Sequence, residues 1–229
     1  MLRAVRRTLL LLAGLLIVYL CVVAAWSLAS VNEAAAGFPA EGQQLQLSKR
    51  QTDILLRIED PSFFSHAGLS VGNGQGFATI TSALARQAFL YGLPFDGIKG
   101  NMQSFYRRVL ECCKKIDLGR DTMALVLNAK VSKERQLAAY VSTVYMGTSN
   151  GIQVKGLAQA STQYFGKPLS ELTDSEFGGL VAMIKAPNQF HPVRNPSVHA
   201  LRAARVNAVI AGKCVPGGWF DTSFEHCQP

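Results

Sequence analysis

The stretch Arg57-Ile-Glu-Asp-Pro-Ser-Phe-Phe-Ser-His-Ala-Gly-Leu-Ser70 decides both where a helix ends and whether that end carries chemistry. Leu55, Leu56 and Ile58 just upstream are apolar, and Pro61 has no backbone proton to give to a helix interior, so a helix is expected to stop at Glu59-Asp60. Neighbouring helical residues point about 100° apart, so the two carboxylates cannot act as two jaws on one bond. One can face a cleft while the other braces backbone groups, and the pair also suits a solvated helix end. Phe63 and Phe64 add an apolar wall, which lifts the pKa of a nearby carboxyl toward the range useful for proton transfer. His66 can hydrogen-bond to one of the acids or cap the turn. As the sole histidine of the N-terminal half it is a poor nucleus for a metal site.

Upstream, no charge occurs between Thr8 and Asn32, and LLLLAGLLIVYLCVVAAW fills most of the interval. As a helix this run is long enough to cross roughly 30 Å of hydrocarbon. Arg3, Arg6 and Arg7 precede it and Glu33 and Glu41 come after it, so the basic bias holds the N-terminus in the cytoplasm and exports the chain beyond the run. The small residues of SLAS and NEAAAG also suit a cleaved signal peptide, but an apolar run of about eighteen residues is longer than the usual one and favours a retained anchor. The expected organisation is a cytoplasmic N-terminus and anchor over residues 1–31, a linker over 32–44, a domain over 45–211 and a tail over 212–229.

Three of the 23 lysines and arginines precede the apolar run, which leaves 20 against 15 acidic residues beyond it. A mildly basic domain beside a membrane attracts anionic headgroups or pyrophosphates. With no basic run interleaved with aromatics and no zinc-finger spacing, nucleic acid is excluded as a partner. Of the five cysteines, Cys21 lies in the apolar run and adjacent Cys112 and Cys113 have no metal or redox spacing. Cys214 and Cys227 enclose Pro216, Gly217 and Gly218, which let the chain turn back, so an exported protein is expected to join them as a disulfide.

Downstream of the opening stretch, glycines 72, 74 and 76 form a loop leading into the helix TITSALARQAFL. Thr79 and Thr81 offer hydroxyls there that could hold a phosphate or sugar, or simply cap the helix. Residues 91–102, YGLPFDGIKGNM, read as an apolar loop that either dips into lipid or folds over the domain. The intervals of Leu137, Tyr140, Val141 and Val144 predict a helix from near Ser132 to near Gly147. Thr173 with Glu176 predicts a capping box for a helix that stops at Pro187. Little of the chain alternates with period two, so the fold class is mainly α.

These residues carry a resemblance. EDPSFFSHAG resembles the first signature of the peptidoglycan glycosyltransferases of family 51, Glu-Asp-x-x-Phe-x-x-His-x-Gly, with matches at Glu59, Asp60, Phe63, His66 and Gly68. QGFATITSALARQAFL resembles the second, Gly-Gly-Ser-Thr-Ile-Thr-Gln-Gln, matching at Gly76, Thr79, Ile80 and Thr81 but departing at Phe77, Ala78, Ser82 and Ala83. SKERQLAAYVSTVYMG, QYFGK, ELTDSEFGGLVAMIKAPNQFHPVRNP and RVNAVI, which starts at Arg205, are similar to later family segments, so residues about 45 to 211 are covered.

The resemblance implies a lysozyme-like helical domain with a membrane-associated lobe, acting on lipid II and the growing glycan chain. Glu59 would be the general base and Asp60 its catalytic partner or brace. His66, Thr79, Thr81, Arg86, Lys133, Lys155 and Lys167 would bind substrate, the cations meeting the pyrophosphate. No tightly bound cofactor is implied, although a divalent cation such as Mg2+ or Mn2+ could accompany the pyrophosphate; which residues would hold a metal is not legible. A transpeptidase or another cell-wall synthesis protein is the implied protein partner, and the bacterial inner membrane the setting.

One departure bears on activity. The family carries a second glutamate in a stretch like Arg-Lys-x-x-Glu. Counting back from Ser132-Lys133 puts Arg120 at the glutamate's place and Asp117 at the basic residue's. Asp121, Asp117 or Glu111, the last ending RRVLE nine positions early, could supply the missing carboxylate. Without it, the chain would be a weakly active or non-catalytic member that binds lipid II or glycan and assists a synthase. A muramidase would instead need an acid to protonate a leaving sugar oxygen, and the matches beyond residue 132 follow the polymerase pattern.

Overall fold

The computed structural model describes residues 1–72, 74–76, 78–110 and 117–227. They form two compact units, one made of Met1–Gly37, Ala67–Leu69 and Thr81–Val131, the other of Phe38–His66, Ser70–Ile80 and Ser132–Pro229.

In the first unit a single helix, α1 (Leu2–Ala34), has two characters. Its early turns are bare and apolar, with Leu9 to Val18 largely exposed, and it alone among the described residues is long and apolar enough to cross a membrane. Its last turns are core: Val23, Trp26, Val31 and Ala34 are buried. The Trp26 ring lies 5.1 Å from that of Tyr106 and 5.7 Å from that of Phe89, and its indole N–H donates to the carbonyl of Lys99 at 3.1 Å. The helix therefore runs past the expected boundary at residue 31, because packing rather than lipid fixes its final turns. Around it lie most of α3 (Ile80–Arg86), a π-helical turn (Gln87–Tyr91), α4 (Gly97–Leu110) and α5 (Leu118–Lys130).

The expected loop over 91–102 is corrected, since α4 begins inside it. Gly97, at φ +57°, turns the chain into the helix, and Gly100 lies so close to the carbonyl of Phe95 that a Cβ would come within 2.1 Å of that oxygen. Glycines that read as turn formers in the sequence here permit close packing. Gly68 does the same: a Cβ there would sit 2.8 Å from the carbonyl oxygen of Ala124 on α5.

The second unit contains α2 (Lys49–Glu59), α6 (Lys133–Thr143), β1 (Tyr145–Ser149), β2 (Ile152–Lys155), α7 (Leu157–Phe165), a short 3₁₀ turn (Leu169–Glu171), α8 (Asp174–Met183) and α9 (Pro196–Ile210). Ser48 opens α2 with a capping box: its hydroxyl accepts from the Gln51 N–H, and the Gln51 side chain accepts from the Ser48 N–H. The expected box of Thr173 and Glu176 opens α8. Ile54, Leu55 and Ile58 of α2, Leu137 and Val141 of α6, Phe177 and Leu180 of α8 and Val206 of α9 form one core.

Two boundaries are corrected. Helix α6 stops at Thr143, and YMGTS continues as β1, paired antiparallel with β2. Asn150 and Gly151, both at positive φ, make the tight turn that matches strand twist, a signal that SNGI carried in the sequence. Helix α8 ends at Met183, before Pro187. The tail folds back on this unit, with Cys214 bonded to Cys227 and Phe224 in the core.

Candidate active site

Glu59 is the last residue of α2 and Asp60 its C-cap. Both lie in the second unit, with very different surroundings. Asp60 is fully buried and saturated. Its Oδ2 accepts from the backbone N–H of Ile80 at 2.9 Å and lies 3.0 Å from His66 Nε2, while its Oδ1 accepts from Gln75 Nε2 at 3.1 Å. It ties together the residues after α2, the glycine loop and the start of α3. His66 is thereby held against Asp60.

Glu59 keeps some exposed surface. Protein nevertheless crowds its carboxyl closely, and this burial, with the neighbouring Asp60 charge, pushes its pKa up to about 7. The charges of Arg202 and Lys185 and a hydrogen bond with the Tyr140 hydroxyl act against that rise without cancelling it. The carboxylate is thus held in a setting that disfavours its charge and is ready to accept a proton near neutral pH.

Arg202 projects from α9, and burial lowers its pKa to about 10. Its guanidinium carbon lies 4.6 Å from the ring centre of Phe224 and 5.8 Å from that of Phe190, while its Nε and Nη1 are buried without a hydrogen-bond partner among the described residues. Lys133, at the start of α6, sets its ammonium 4.4 Å from the Phe63 ring centre. Burial lowers the pKa of Lys133, and the charge of Asp60 holds it up. Phe63 is in the core, whereas Phe64 is exposed, so only one of the two phenylalanines walls the site.

Of the expected binding residues in this unit, the structure brings His66 and Lys133 to Asp60. Thr79 is buried one residue before the Ile80 N–H that Asp60 holds. Lys155 is exposed on β2, and Lys167 forms a 2.5 Å ion pair with Glu176 at the start of α8. In the first unit, Thr81 is buried, and Arg86 lies 3.8 Å from Asp117. Asp117 is the N-cap of α5, accepting from the Arg120 N–H, and Asp121 pairs with the Arg120 guanidinium at 2.6 Å. Both candidate second carboxylates are thus engaged locally, and Glu111 lies outside the described residues. The grouping of potential metal ligands found among the described residues, Cys214, His226 and Cys227, has both sulfurs joined to each other.

Tyr140, Lys185 and Arg202 were missed in the sequence. Tyr140 read as a core position of a helix, Lys185 as part of the run before Pro187, and Arg202 lies one turn before the Arg205 that carried the motif.

A family model described as Transglycosylase matches residues 40–211. Penicillin-binding protein 1B of Buchnera aphidicola is 32% identical over 167 residues, covering 67% of this chain and 20% of that protein. Penicillin-binding protein 1B of Escherichia coli K12 is 31% identical over 160 residues, 64% of this chain and 17% of the relative. Penicillin-binding protein 2a of Streptococcus pneumoniae is 29% identical over 196 residues, 79% of this chain and 24% of the relative. The match thus spans about a fifth of the length of these curated relatives.

Proposed function

The chain belongs to the transglycosylase family, that of the peptidoglycan glycosyltransferases with their lysozyme-like helical fold, and from that premise we propose that it polymerises lipid II into β-1,4 glycan strands. Glu59 takes the proton from the 4-hydroxyl of the acceptor sugar as that oxygen attacks the anomeric carbon of the growing chain. The carbon–oxygen bond to polyprenyl pyrophosphate breaks and the anomeric centre inverts. Because the leaving pyrophosphate needs neutralisation rather than a proton, one well-placed base suffices. Lys133, whose charge acts on the adjacent Asp60, supplies positive charge for that neutralisation, and a divalent cation with the pyrophosphate would add to it.

The observation that carries this reading is the place of Glu59 at the end of α2: a carboxyl closely crowded by protein, hydrogen-bonded with Tyr140 and influenced by Arg202, with its pKa raised to about 7. A base with a pKa near the working pH combines an adequate ionised fraction with adequate proton affinity. Tyr140 orients it through that hydrogen bond, and the charge of Arg202 favours its ionised form.

A second reading, a member that binds lipid II or glycan without polymerising it, is favoured by the local engagement of Asp117 and Asp121. Incubating the detergent-solubilised chain with labelled lipid II and Mg2+ separates the two. The proposal expects glycan longer than the disaccharide; saturable binding without polymer, with or without a transpeptidase-bearing synthase, would install the second reading. The same proposal places α1 across the inner membrane with the second unit outside, so a reporter fused after Pro229 should be active outside the cytoplasm.

A further inference from the structure

The family match stops at residue 211, yet the chain beyond it is built into the candidate site. After α9 the tail returns through the Cys214–Cys227 disulfide and meets the surroundings of Glu59 at three places, all within the second unit. The first is the glycine loop. The N–H of Gly74 donates to the carbonyl of Gly218 and that of Gly76 to the carbonyl of Trp219, each at 2.9 Å, and the Trp219 indole N–H donates back to the carbonyl of Gly76. Between these two glycines sits Gln75, whose amide reaches Asp60. The contact leaves no room: a Cβ on Gly74 would lie 2.8 Å from the Phe224 ring and 2.9 Å from Pro216.

The second place is Lys185, whose ammonium donates to the Ser223 hydroxyl at 2.8 Å. Arg202 is the third. Phe224 puts its ring under the guanidinium at 4.6 Å, and it does so from a backbone φ of +51°. That is a left-handed conformation which non-glycine residues rarely adopt. It persists because Asp221 Oδ1 accepts the Phe224 N–H at 3.0 Å and the Cys227 N–H donates to the Phe224 carbonyl at 3.0 Å. Asp221 also accepts from the Gly217 N–H at 2.8 Å and lies 3.0 Å from His226 Nδ1, so one carboxylate organises the turn that presents the ring. A strained residue held by its own hydrogen-bond network, under a buried arginine whose Nε and Nη1 have no partner among the described residues, marks a place where geometry is imposed.

We propose that residues 215–227 are a positioning strap for the site: Phe224 seats Arg202 so that its charge acts on Glu59, while Gly218 and Trp219 hold the loop that reaches Asp60 through Gln75. The ring face, not only its volume, is what Arg202 requires, since a guanidinium over an aromatic face is attracted by the ring's charge distribution. The disulfide keeps the strap short enough to maintain these contacts. In the catalytic consequence, this inference rests on the polymerase reading above; in the seating of Arg202 it does not.

The test uses the full chain in detergent with ¹⁵N-labelled arginine, the Arg202 Nε–H signal being identified by its loss in Arg202→Lys. In the unmutated chain this buried proton should exchange slowly with water. Phe224→Leu keeps apolar volume and removes the ring: exchange should accelerate at least about tenfold, and kcat on lipid II should fall about 5- to 30-fold with KM little changed. Phe224→Tyr should restore both. Should Phe224→Leu not fold, the Cys214→Ser/Cys227→Ser pair, which frees the strap, is expected to give the same faster exchange. Leucine and tyrosine variants that behave alike, or exchange unchanged when the strap is altered, would overturn the proposal. If the unmutated chain makes no polymer while Arg202 exchange still responds to Phe224→Leu and not to Phe224→Tyr, the strap stands and the polymerase reading alone fails.

Discussion

Two helix ends in this molecule each carry a pair of carboxylates, and they treat them oppositely. At the start of α5, Asp117 caps the helix through the Arg120 N–H, and Asp121 one turn later pairs with the Arg120 guanidinium. Negative charge there meets backbone N–H groups and the positive end of the helix dipole, so both acids are held in local helix-start contacts. At the end of α2 the dipole is reversed. Asp60 escapes its penalty by collecting donors from Gln75, Ile80 and His66. Glu59 has no such set, and burial drives its pKa up to about 7. A carboxylate whose electrical needs are fully met contributes to the fold; one whose needs are left partly unmet can take a proton during a reaction.

The largest expected effect falls on Glu59. Replacing it with Gln should cost about 10² to 10⁴ in the polymerisation rate, or about 3 to 5 kcal/mol of barrier, with lipid II still bound. If the corresponding Asn changes at Asp117 or Asp121 approach that loss, the contrast between the two helix ends is broken.

Next comes stability. The folded-state pKa of Glu59, about 7, lies above its ordinary 4.5, so the folded chain holds this proton more tightly than the unfolded chain. Its contribution is therefore full below about pH 4.5 and is lost as pH rises to about 7, amounting to roughly 3 kcal/mol. Gln carries no charge at any pH. Glu59→Gln should thus melt higher than the unmutated chain at pH 8 and alike near pH 4, as thermal unfolding in detergent would reveal.

Smaller effects are expected at α5. Asp117→Ala removes a cap and should destabilise by about 0.5–2 kcal/mol in denaturant unfolding. Asp121→Asn weakens a partly exposed pair with an adjacent residue, and a change above about 1 kcal/mol in denaturant unfolding would contradict its local role.

The sequence made the end of α2 readable because proline and apolar spacing speak locally, and the capping box at Thr173 was readable for the same reason. The hairpin at Asn150-Gly151 was hidden by an apolar spacing that ran on past Thr143, although its turn residues were in plain view. Helix α4 was hidden because Gly97 and Gly100 serve a turn and a close approach that no local pattern announces. In the site, Glu59, Asp60, His66 and Lys133 came from motifs. Tyr140 and Arg202 did not: one is a core residue by spacing and the other a surface residue by type, and only tertiary packing brings them to Glu59. The tail's role had no sequence signal beyond its two cysteines, since contact between residues 74 and 218 is set entirely by the fold.

The most direct measurement is the titration of the Glu59 carboxyl carbon by NMR in the ¹³C-labelled full chain, its signal identified by its absence in Glu59→Gln. A midpoint near pH 7 is the predicted result, with the polymerisation rate rising over the same interval as the base loses its proton. A midpoint near 4.5, the value of an ordinary glutamate, would mean that the end of α2 satisfies Glu59 as fully as it does Asp60 and would contradict the account.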